Sequence, residues 1–238
     1  MAFEPFYHLM RGLQGRVLGG AQGQNAQQIA FLRQLQREIN SEDKLKIPLE
    51  ELNVVVFDIE TTGFYPDQGD AIISLGAIRV CGNKIQEGDE YYSLVHYEKA
   101  LSSKIIDLTG ITHHQLIEAP PLSEVLINFF KFVDDNTLVA HHASHEKNFL
   151  QHASWKLYRT HFKHRIVDTS FLYRVAEPNE KLIRLEDFCV HNGIPIEDRH
   201  HALGDAKLTA KLWCLYLNKL QEAGYKTLKE IYEHVARL

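Results

Sequence analysis

From about residue 52 onward, the apolar positions follow a strand-like pattern in some segments and a helix-like pattern in others. Short apolar runs bounded by turn residues are typical of buried strands. Such runs predict strands at residues 53–58, 71–80, 89–95, 137–140 and 165–168. Because only short intervals separate the first three strands, we expect them to form an antiparallel meander.

In the remaining segments the apolar residues recur at roughly every third or fourth position, which is the period of an amphipathic helix. This spacing predicts helices at residues 102–108, 122–134, 145–158, 182–191, 202–220 and 226–236. Pro120 and Pro121 precede the second of these helices, where proline favours a helix start. We therefore expect an α/β domain over residues 51–238, with a mixed central sheet flanked by helices.

Residues 1–50 follow a different pattern and form a predicted N-terminal extension. Glycine-rich stretches within residues 12–23 are followed by apolar residues at helical spacing over residues 27–39. This segment is a packed arm, a partner-binding helix or a mobile leader, and the sequence does not choose among these roles.

The overall charge of the chain restricts how it can bind nucleic acid. The 238 residues include 26 Lys or Arg and 31 Asp or Glu, which gives a formal net charge of −5 with histidine neutral. An acidic protein does not hold nucleic acid through its overall field, so any such binding must come from a local patch or from bound cations. This charge argues against a protein that coats nucleic acid tightly and without specificity.

The cysteines and the lack of long apolar runs indicate where the protein works. Cys81, Cys189 and Cys214 are far apart and lack the spacing of a zinc site or a disulfide framework. We expect them to be buried free thiols in a reducing cytosol. No apolar run is long enough to cross a membrane, and the N-terminus lacks a signal-peptide pattern. The sequence predicts a cytoplasmic protein without membrane association.

Two carboxylates lie close together after the first predicted strand. Asp58 and Glu60 follow the apolar run that ends at Phe57, and a Thr-Thr-Gly segment comes next. Side chains two residues apart on a strand point to the same face, so these acids converge. Carboxylates this close repel unless a proton or a divalent cation compensates their charge. Taken alone, such a pair is most often a solvated turn.

Further motifs, in fixed order, change that interpretation. Asp-x-Glu-Thr-Thr-Gly spans residues 58–63, Leu-Thr-Gly-Ile-Thr spans residues 108–112, and His200 precedes Asp205 by five positions within His-x-Ala-x-x-Asp-Ala. At these residues the chain resembles the DnaQ-like, DEDDh 3′–5′ exonucleases, which include the proofreading subunit of bacterial replicative DNA polymerase. The resemblance covers about residues 53–220 and implies an RNase H-like α/β fold.

The middle motif of the family departs from its usual form in this chain. The family shows His-Asn-Ala-x-Phe-Asp-x-x-Phe-Leu, whereas residues 141–150 carry His142 for the asparagine, His145 for the phenylalanine and Glu146 for the aspartate. Glutamate keeps the charge but moves its oxygens outward by roughly an ångström, and a shift of this size is large enough to change catalysis. The substitution leaves open a changed rate or a changed metal preference.

The resemblance implies a site for two Mg²⁺ or Mn²⁺ ions. The carboxylates it implies as metal ligands and catalytic residues are Asp58, Glu60, Glu146 and Asp205. Magnesium prefers carboxylate and water oxygens, and four carboxylates balance the charge of two divalent ions. Zinc binding by the histidines of the middle motif is disfavoured, because the surroundings are rich in carboxylates.

His200 is the residue implied as general base. An imidazole titrates near neutral pH and is therefore suited to take a proton from the attacking water. His201 is the second candidate, but it precedes Asp205 by four positions instead of five. A third residue, Asp168 in the Asp-Thr pair after a predicted strand, is interpreted mainly as a cap for the helix that follows it.

Several residues beside the motifs are expected to contact the terminal nucleotide. Family members hold this nucleotide through backbone amides and an apolar wedge next to the metal pair, and the two substituted histidines would add a donor or a stacking ring. The residues implied as substrate-binding are Thr61, Thr62, Phe64, Ile111, Thr112, His142 and His145. Core packing is an equally good interpretation of Ile111.

The sequence thus predicts a metal-dependent 3′–5′ exonuclease that releases nucleoside 5′-monophosphates from single-stranded or frayed DNA ends. RNA 3′ ends are the alternative substrate within the same family, and a DNA polymerase is the partner that the resemblance suggests. The alternative from another class is a nucleic-acid- or polymerase-binding module whose catalysis is impaired by Glu146.

Overall fold

A five-stranded mixed sheet lies at the centre of the protein. The structure is a computed structural model that describes residues 27, 29–31, 34 and 44–237. Its strands are β1 (Asn53–Thr61), β2 (Ile72–Cys81), β3 (Lys84–Leu94), β4 (Thr137–Ala140) and β5 (Ile166–Asp168), in the sheet order β3-β2-β1-β4-β5. The first three pair in antiparallel fashion, and β4 and β5 add to β1 in parallel. The predicted meander with added parallel strands is confirmed.

The helices fill the intervals between strands and the C-terminal part of the chain. They are α1 (Ser103–Thr109), α2 (His113–Glu118), α3 (Leu122–Val133), α4 (Ser144–Tyr158), α5 (Ser170–Ala176), α6 (Leu185–His191), α7 (Ala202–Glu222) and α8 (Leu228–Val235). Six of them were predicted, with ends displaced by up to three residues. The short helices α2 and α5 were not predicted.

The third strand begins earlier than predicted, at Lys84 instead of residue 89. Cys81 pairs with Lys84, so Gly82 and Asn83 alone form the turn of a tight hairpin. Gly82 has a φ of 57°, and a Cβ at this position would lie 2.6 Å from the carbonyl oxygen of Glu50. The first half of β3 is mostly exposed, so its sequence shows no apolar alternation.

The two faces of the sheet bury two separate cores. Along β1, Val54 and Val56 point toward α5, α6, α7 and α8, in a cluster that includes the fully buried Trp213. Val55 and Phe57 point to the opposite face, where α3 and α4 cover them. Because strand side chains alternate between faces, the next residue on the α7 face after Val56 is Asp58.

A glycine on β2 allows α7 to approach this part of β1. Gly76 pairs with Asp58 across the antiparallel ladder. A Cβ at Gly76 would lie 2.1 Å from the backbone nitrogen of Leu203 in the first turn of α7. Only glycine therefore lets the start of α7, which carries Asp205, pack directly on the sheet.

Part of the predicted N-terminal extension packs on the domain. Leu49 is buried, and its amide donates to the carbonyl of Lys226 at 2.8 Å. Ile29 and Phe31 contact the core on the α3 and α4 side of the sheet. Most of the helix predicted over residues 27–39 lies outside the described residues, and both its role and the boundary at residue 50 stay predictions.

The cysteines differ in part from the expectation. All three are free thiols, and Cys189 and Cys214 are buried. Cys81, however, is exposed, because it ends β2 at the hairpin turn. Among the described helices, none combines the length and the apolarity needed to span a bilayer.

Candidate active site

Three carboxylates converge at the end of β1. Asp58 and Glu60 lie on one face of the strand, and Asp205 reaches them from the first turn of α7. One oxygen from each carboxylate lies within 4.8 Å of the other two. The structure therefore brings these three carboxylates together, as expected, although Asp205 lies nearly 150 positions after Asp58 in the sequence.

The fourth acid, Glu146, approaches the same cluster from the first turn of α4. Its side chain is buried, and its charge raises the pKa values of both Asp58 and Glu60. The glutamate therefore lies near the other acids. It is not part of the tight group of three, which contains only Asp58, Glu60 and Asp205.

All four acids of this cluster have raised pKa values. Burial is the largest cause of every shift: it raises the pKa of Asp58 well above its usual range and the pKa values of Glu60 and Glu146 to about 8. Neighbouring carboxylates add to each shift. The pKa of Asp205 rises less, to about 6, because Arg199 opposes the effect of burial.

Arg199 is a site residue that the sequence analysis missed. Its guanidinium donates through Nη1 to Oδ2 of Asp205 and through Nη2 to Oε2 of Glu186, the latter at 2.9 Å. It also lowers the pKa of Asp58. In the sequence it is one loop arginine beside His200, and its partner in α6 lies 13 positions away. No local pattern identifies such a pair.

His200 and His201 have different surroundings. His200 is partly exposed, has a left-handed φ of 63°, and donates its amide to Oδ2 of Asp205 at 3.2 Å. Burial, and then the charge of Arg199, lower the pKa of its ring. His201 is the N-cap of α7: its Nδ1 accepts from the amide of Gly204 at 3.4 Å. Capping thus occupies one ring nitrogen of His201, whereas Nδ1 of His200 lies 3.5 Å from Nη1 of Arg199. The role of His200 as general base stays a prediction.

Asp168 joins the starts of two helices. Its Oδ2 accepts from the amide of Ala143 at 3.0 Å, just before α4, and its Oδ1 accepts from the amide of Ser170 at 2.8 Å, at the start of α5. The side chain thus caps α5, as the sequence indicated, and also anchors the turn that carries Glu146. Its charge contributes to the raised pKa of Glu146.

Four of the residues expected to bind substrate lie together beside Glu60. The hydroxyl of Thr61 is 3.3 Å from Nε2 of His145, whose ring centre lies 5.7 Å from that of Phe64. Phe64 is 75% exposed, which leaves its ring free for a ligand. The hydroxyl of Thr62 instead accepts from the amide of Ala71 at 3.0 Å and so holds the turn closed.

The other three expected substrate residues have structural contacts. Ile111 is buried in a small core with Ile73, and Thr112 forms the capping box of α2. Nε2 of His142 lies 2.6 Å from the carbonyl oxygen of Ile183 in the loop before α6. A role of these residues in substrate binding stays a prediction.

The residues of the cluster fit a hard divalent cation. Three carboxylates present oxygens at close range, and the buried oxygens Oδ1 of Asp205 and Oε2 of Glu146 have no hydrogen-bond partner among the described residues. Leaving a buried polar atom without a partner costs about 1–3 kcal/mol. Carboxylate oxygen is the ligand that Mg²⁺ prefers, so the donor set suits that ion better than a soft metal.

Comparisons with known proteins agree with this geometry. The family model RNase_T, described as exonuclease, matches residues 55–213. The PolC-type DNA polymerase III of Bacillus subtilis is 36% identical over 190 residues, which cover 79% of this chain and 13% of the polymerase. The 3′-5′ exonuclease DinG of Staphylococcus epidermidis is 32% identical over 177 residues, covering 74% and 19%. The chain thus spans less than a fifth of either relative.

A solved structure shows the same architecture. The nuclease domain of 3′hExo, a DEDDh family member bound to rAMP, matches with a TM-score of 0.61 and 21% identity over 71% of this chain and 92% of that domain. This likeness confirms the predicted RNase H-like exonuclease fold. The family model matches more than half of the sequence and includes all four acids and His200. The chain belongs to the exonuclease family.

Proposed function

We propose that the protein is a 3′–5′ exonuclease that acts on single-stranded or frayed DNA ends and releases nucleoside 5′-monophosphates. The observation that carries this proposal is the convergence of Asp58, Glu60 and Asp205 within 4.8 Å, with Glu146 beside them. Such a concentration of buried carboxylates is costly unless cations compensate it. A site of this kind suits the hydrolysis of an anionic phosphodiester.

The proposed cofactors are two divalent ions, Mg²⁺ or Mn²⁺, held by the four carboxylates. When bound, they would neutralise the acids, so that the scissile phosphate is no longer repelled, and lower the pKa of the attacking water. The unpartnered oxygens of Asp205 and Glu146 support this assignment. Without cations the cluster would repel the phosphate of a substrate.

His200 is the proposed general base. Its lowered pKa leaves the ring neutral at pH 7, so it can accept a proton. The water oxygen attacks phosphorus, the water proton passes to the imidazole, and the bond to the 3′ oxygen of the remaining strand breaks. The leaving oxygen then takes a proton from solvent, and the released nucleotide keeps the 5′ phosphate. The bond from the His200 amide to Asp205 holds the base beside the acids.

DNA is the proposed substrate, RNA 3′ ends are the alternative, and a DNA polymerase is the proposed partner. The similarity to a PolC-type DNA polymerase III supports the choice of DNA and of a polymerase partner, whereas the structural neighbour 3′hExo was solved with rAMP. Cytoplasmic residence, expected from the cysteine spacing, is part of the same proposal.

The direct test is hydrolysis of 5′-labelled single-stranded DNA and RNA by the purified protein with Mg²⁺, Mn²⁺ or chelator. We expect a ladder of products shortened from the 3′ end, mononucleotides carrying a 5′ phosphate, and no reaction in chelator. Asp58→Asn serves as the negative control against a contaminating nuclease. If neither nucleic acid is shortened with either ion, the enzyme proposal is wrong and the impaired binding module becomes the better interpretation.

A further inference from the structure

A groove beside the acidic cluster contains an unusual concentration of exposed aromatic rings. Among the described residues, four Phe, Tyr or Trp side chains are exposed, and three of them line this groove: Phe64, Tyr65 and Trp155. Their exposed fractions are 75%, 61% and 49%. The groove has a volume of about 510 Å³ and lies between α4 and the turn Pro66–Gln68 that follows β1.

The groove is continuous with the candidate active site. Phe64 belongs to its lining and also packs edge-on against the ring of His145, at 5.7 Å between ring centres. His145 in turn contacts the hydroxyl of Thr61, the residue after Glu60. A strand whose 3′ end reaches the acids therefore has the groove as an adjoining surface.

One face of α4 extends this surface away from the acids. Lys147, Gln151 and Trp155 are spaced by four residues and line the groove together. Lys147 directly follows Glu146, and the rise of a helix places the Trp155 backbone about 12 Å further along the axis. The aligned side chains thus lead from the acidic cluster toward an exposed ring.

The polar groups of the groove suit a phosphate backbone better than a cation or an apolar ligand. Lys147 forms no salt bridge with any residue that the structure describes. The single carboxylate in the lining, Asp67, has a hydrogen-bond partner, because its Oδ1 lies 3.1 Å from Nδ1 of His152. In a protein of net charge −5, an ammonium and three side-chain amides beside three exposed rings form a distinct local surface.

We propose that this groove binds single-stranded DNA upstream of the terminal nucleotide, with bases stacked on Tyr65 and Trp155 and a phosphate held by Lys147. Stacking on exposed aromatic rings tolerates any base sequence, as an enzyme that shortens a strand stepwise requires. The inference rests on the proposed exonuclease function and adds a second binding surface to it, which explains how an acidic protein holds an anionic strand.

Trp155 reports directly on occupancy of the groove. The chain contains two tryptophans, and the other, Trp213, is fully buried. We expect a phosphorothioate oligothymidylate, added with Ca²⁺ to limit cleavage, to quench the fluorescence of Trp155. Trp155→Phe should abolish the quenching and keep the affinity, because a ring remains for stacking. Unchanged fluorescence at a strand concentration that saturates binding by anisotropy would overturn the proposal.

Kinetics separate the groove from the catalytic site. Tyr65→Ala and Trp155→Ala should each raise KM for a long oligothymidylate about tenfold, the effect of losing one base stack. Trp155→Ala should leave KM for a dinucleotide unchanged, because a dinucleotide does not reach Trp155. Lys147→Ala should raise KM for the long strand and reduce its salt dependence, whereas Lys99→Ala, which removes an exposed lysine elsewhere, should do neither.

The two proposals fail in distinguishable ways. If the wild type cleaves neither the dinucleotide nor the long strand, the exonuclease function is wrong, and the fluorescence titration still decides whether the groove binds DNA. If the wild type cleaves both substrates and the groove variants have the same KM as the wild type for both, the catalytic proposal stands and the groove proposal is wrong.

Discussion

Asp205 and Glu146 reach the same acidic cluster from two different helices, but the protein compensates their charges very differently. Oδ2 of Asp205 accepts from the guanidinium of Arg199 and from the amide of His200. Among the described residues, Glu146 has no cationic partner, and its Oε2, like Oδ1 of Asp205, has no hydrogen bond. Accordingly the pKa of Asp205 rises only to about 6, whereas that of Glu146 rises to about 8.

The difference shows where the cluster needs an external cation. On the α7 side, the chain supplies its own positive charge, which is anchored to α6 through Glu186. On the α4 side, the turn is fixed by Asp168, itself an acid, so the local field becomes more negative. We therefore expect ion binding to depend on the carboxylates of both sides and to reduce the repulsion between carboxylates most on the α4 side.

Removing the carboxylate that both sides share should have the largest effect. The pKa of Asp58 responds to Glu146 and, in the opposite direction, to Arg199. We expect Asp58→Asn to reduce kcat on single-stranded DNA at least about a thousandfold, a loss typical of central catalytic groups. In chelator the variant should melt above the wild type, because one source of repulsion is gone. Asp107→Asn, an exposed acid of α1, is the matched control and should change neither quantity.

Glu146 offers a test of the α4 side alone. We expect Glu146→Ala to lower kcat about a hundredfold and to weaken Mn²⁺ binding measured by calorimetry, because a buried anionic ligand is lost. Glu146→Asp keeps the charge and should stay within about tenfold of the wild type. If the alanine variant has full activity, Glu146 lies outside the functional cluster and the contrast with Asp205 has no catalytic meaning.

Arg199 offers the corresponding test on the α7 side. We expect Arg199→Ala to lower kcat about tenfold, since Asp205 loses its anchor and the loop carrying His200 loses its tie to Glu186. Arg199→Lys should recover part of that loss, because one ammonium can reach one carboxylate but not both. Glu186→Gln leaves the contact with Asp205 intact and should cost less than either. Equal losses in all three variants would indicate a general folding defect instead, which circular dichroism melting detects.

The sequence located the acids of the cluster but not the groups that tune them. Asp58 and Glu60 follow an apolar strand, and the spacing of His200 and Asp205 is local, so short segments are enough to predict them. The pair formed by Arg199 and Glu186 joins a loop to a helix across 13 positions, and only the packing of α6 against α7 brings them together. Neither residue has a periodic or motif signal.

The same limit applies to the fold. The apolar patterns of β1, β2, α3 and α7 predicted those elements well, because each buries a continuous face. The first half of β3 was missed because it is exposed, and α2 was missed because a capping box, not apolar spacing, starts its six residues. Local hydrogen bonds determine the secondary structure of such segments, and hydrophobic periodicity does not reveal those bonds.

The smallest predicted effect is a dependence of stability on pH, and it tests the contrast between the two sides most finely. Glu60 and Glu146 have folded pKa values of about 8, above the values near 4.3 expected in the unfolded chain. Over this range the folded state binds more protons, so the free energy of unfolding falls as pH rises from about 4.3 through 8. His141, with a lowered pKa of about 4, contributes the opposite trend, but only below about pH 6.5, where unfolded histidine titrates.

Urea unfolding in chelator between pH 7.5 and 8.5 isolates the carboxyl effect, because histidine is largely neutral in the unfolded chain there and the lowered pKa values of the buried His141 and His164 keep them neutral in the folded state. We expect a fall of about 2 kcal/mol per pH unit, because each of the two carboxyls contributes up to about 1.4. Saturating Mg²⁺ should flatten this slope as cations replace the bound protons. Glu146→Gln should flatten the slope more than Asp205→Asn does, since Arg199 already offsets the charge of Asp205. If both variants change the slope equally, Arg199 does not compensate the charge of Asp205 in solution, and the contrast between the α7 and α4 sides is wrong.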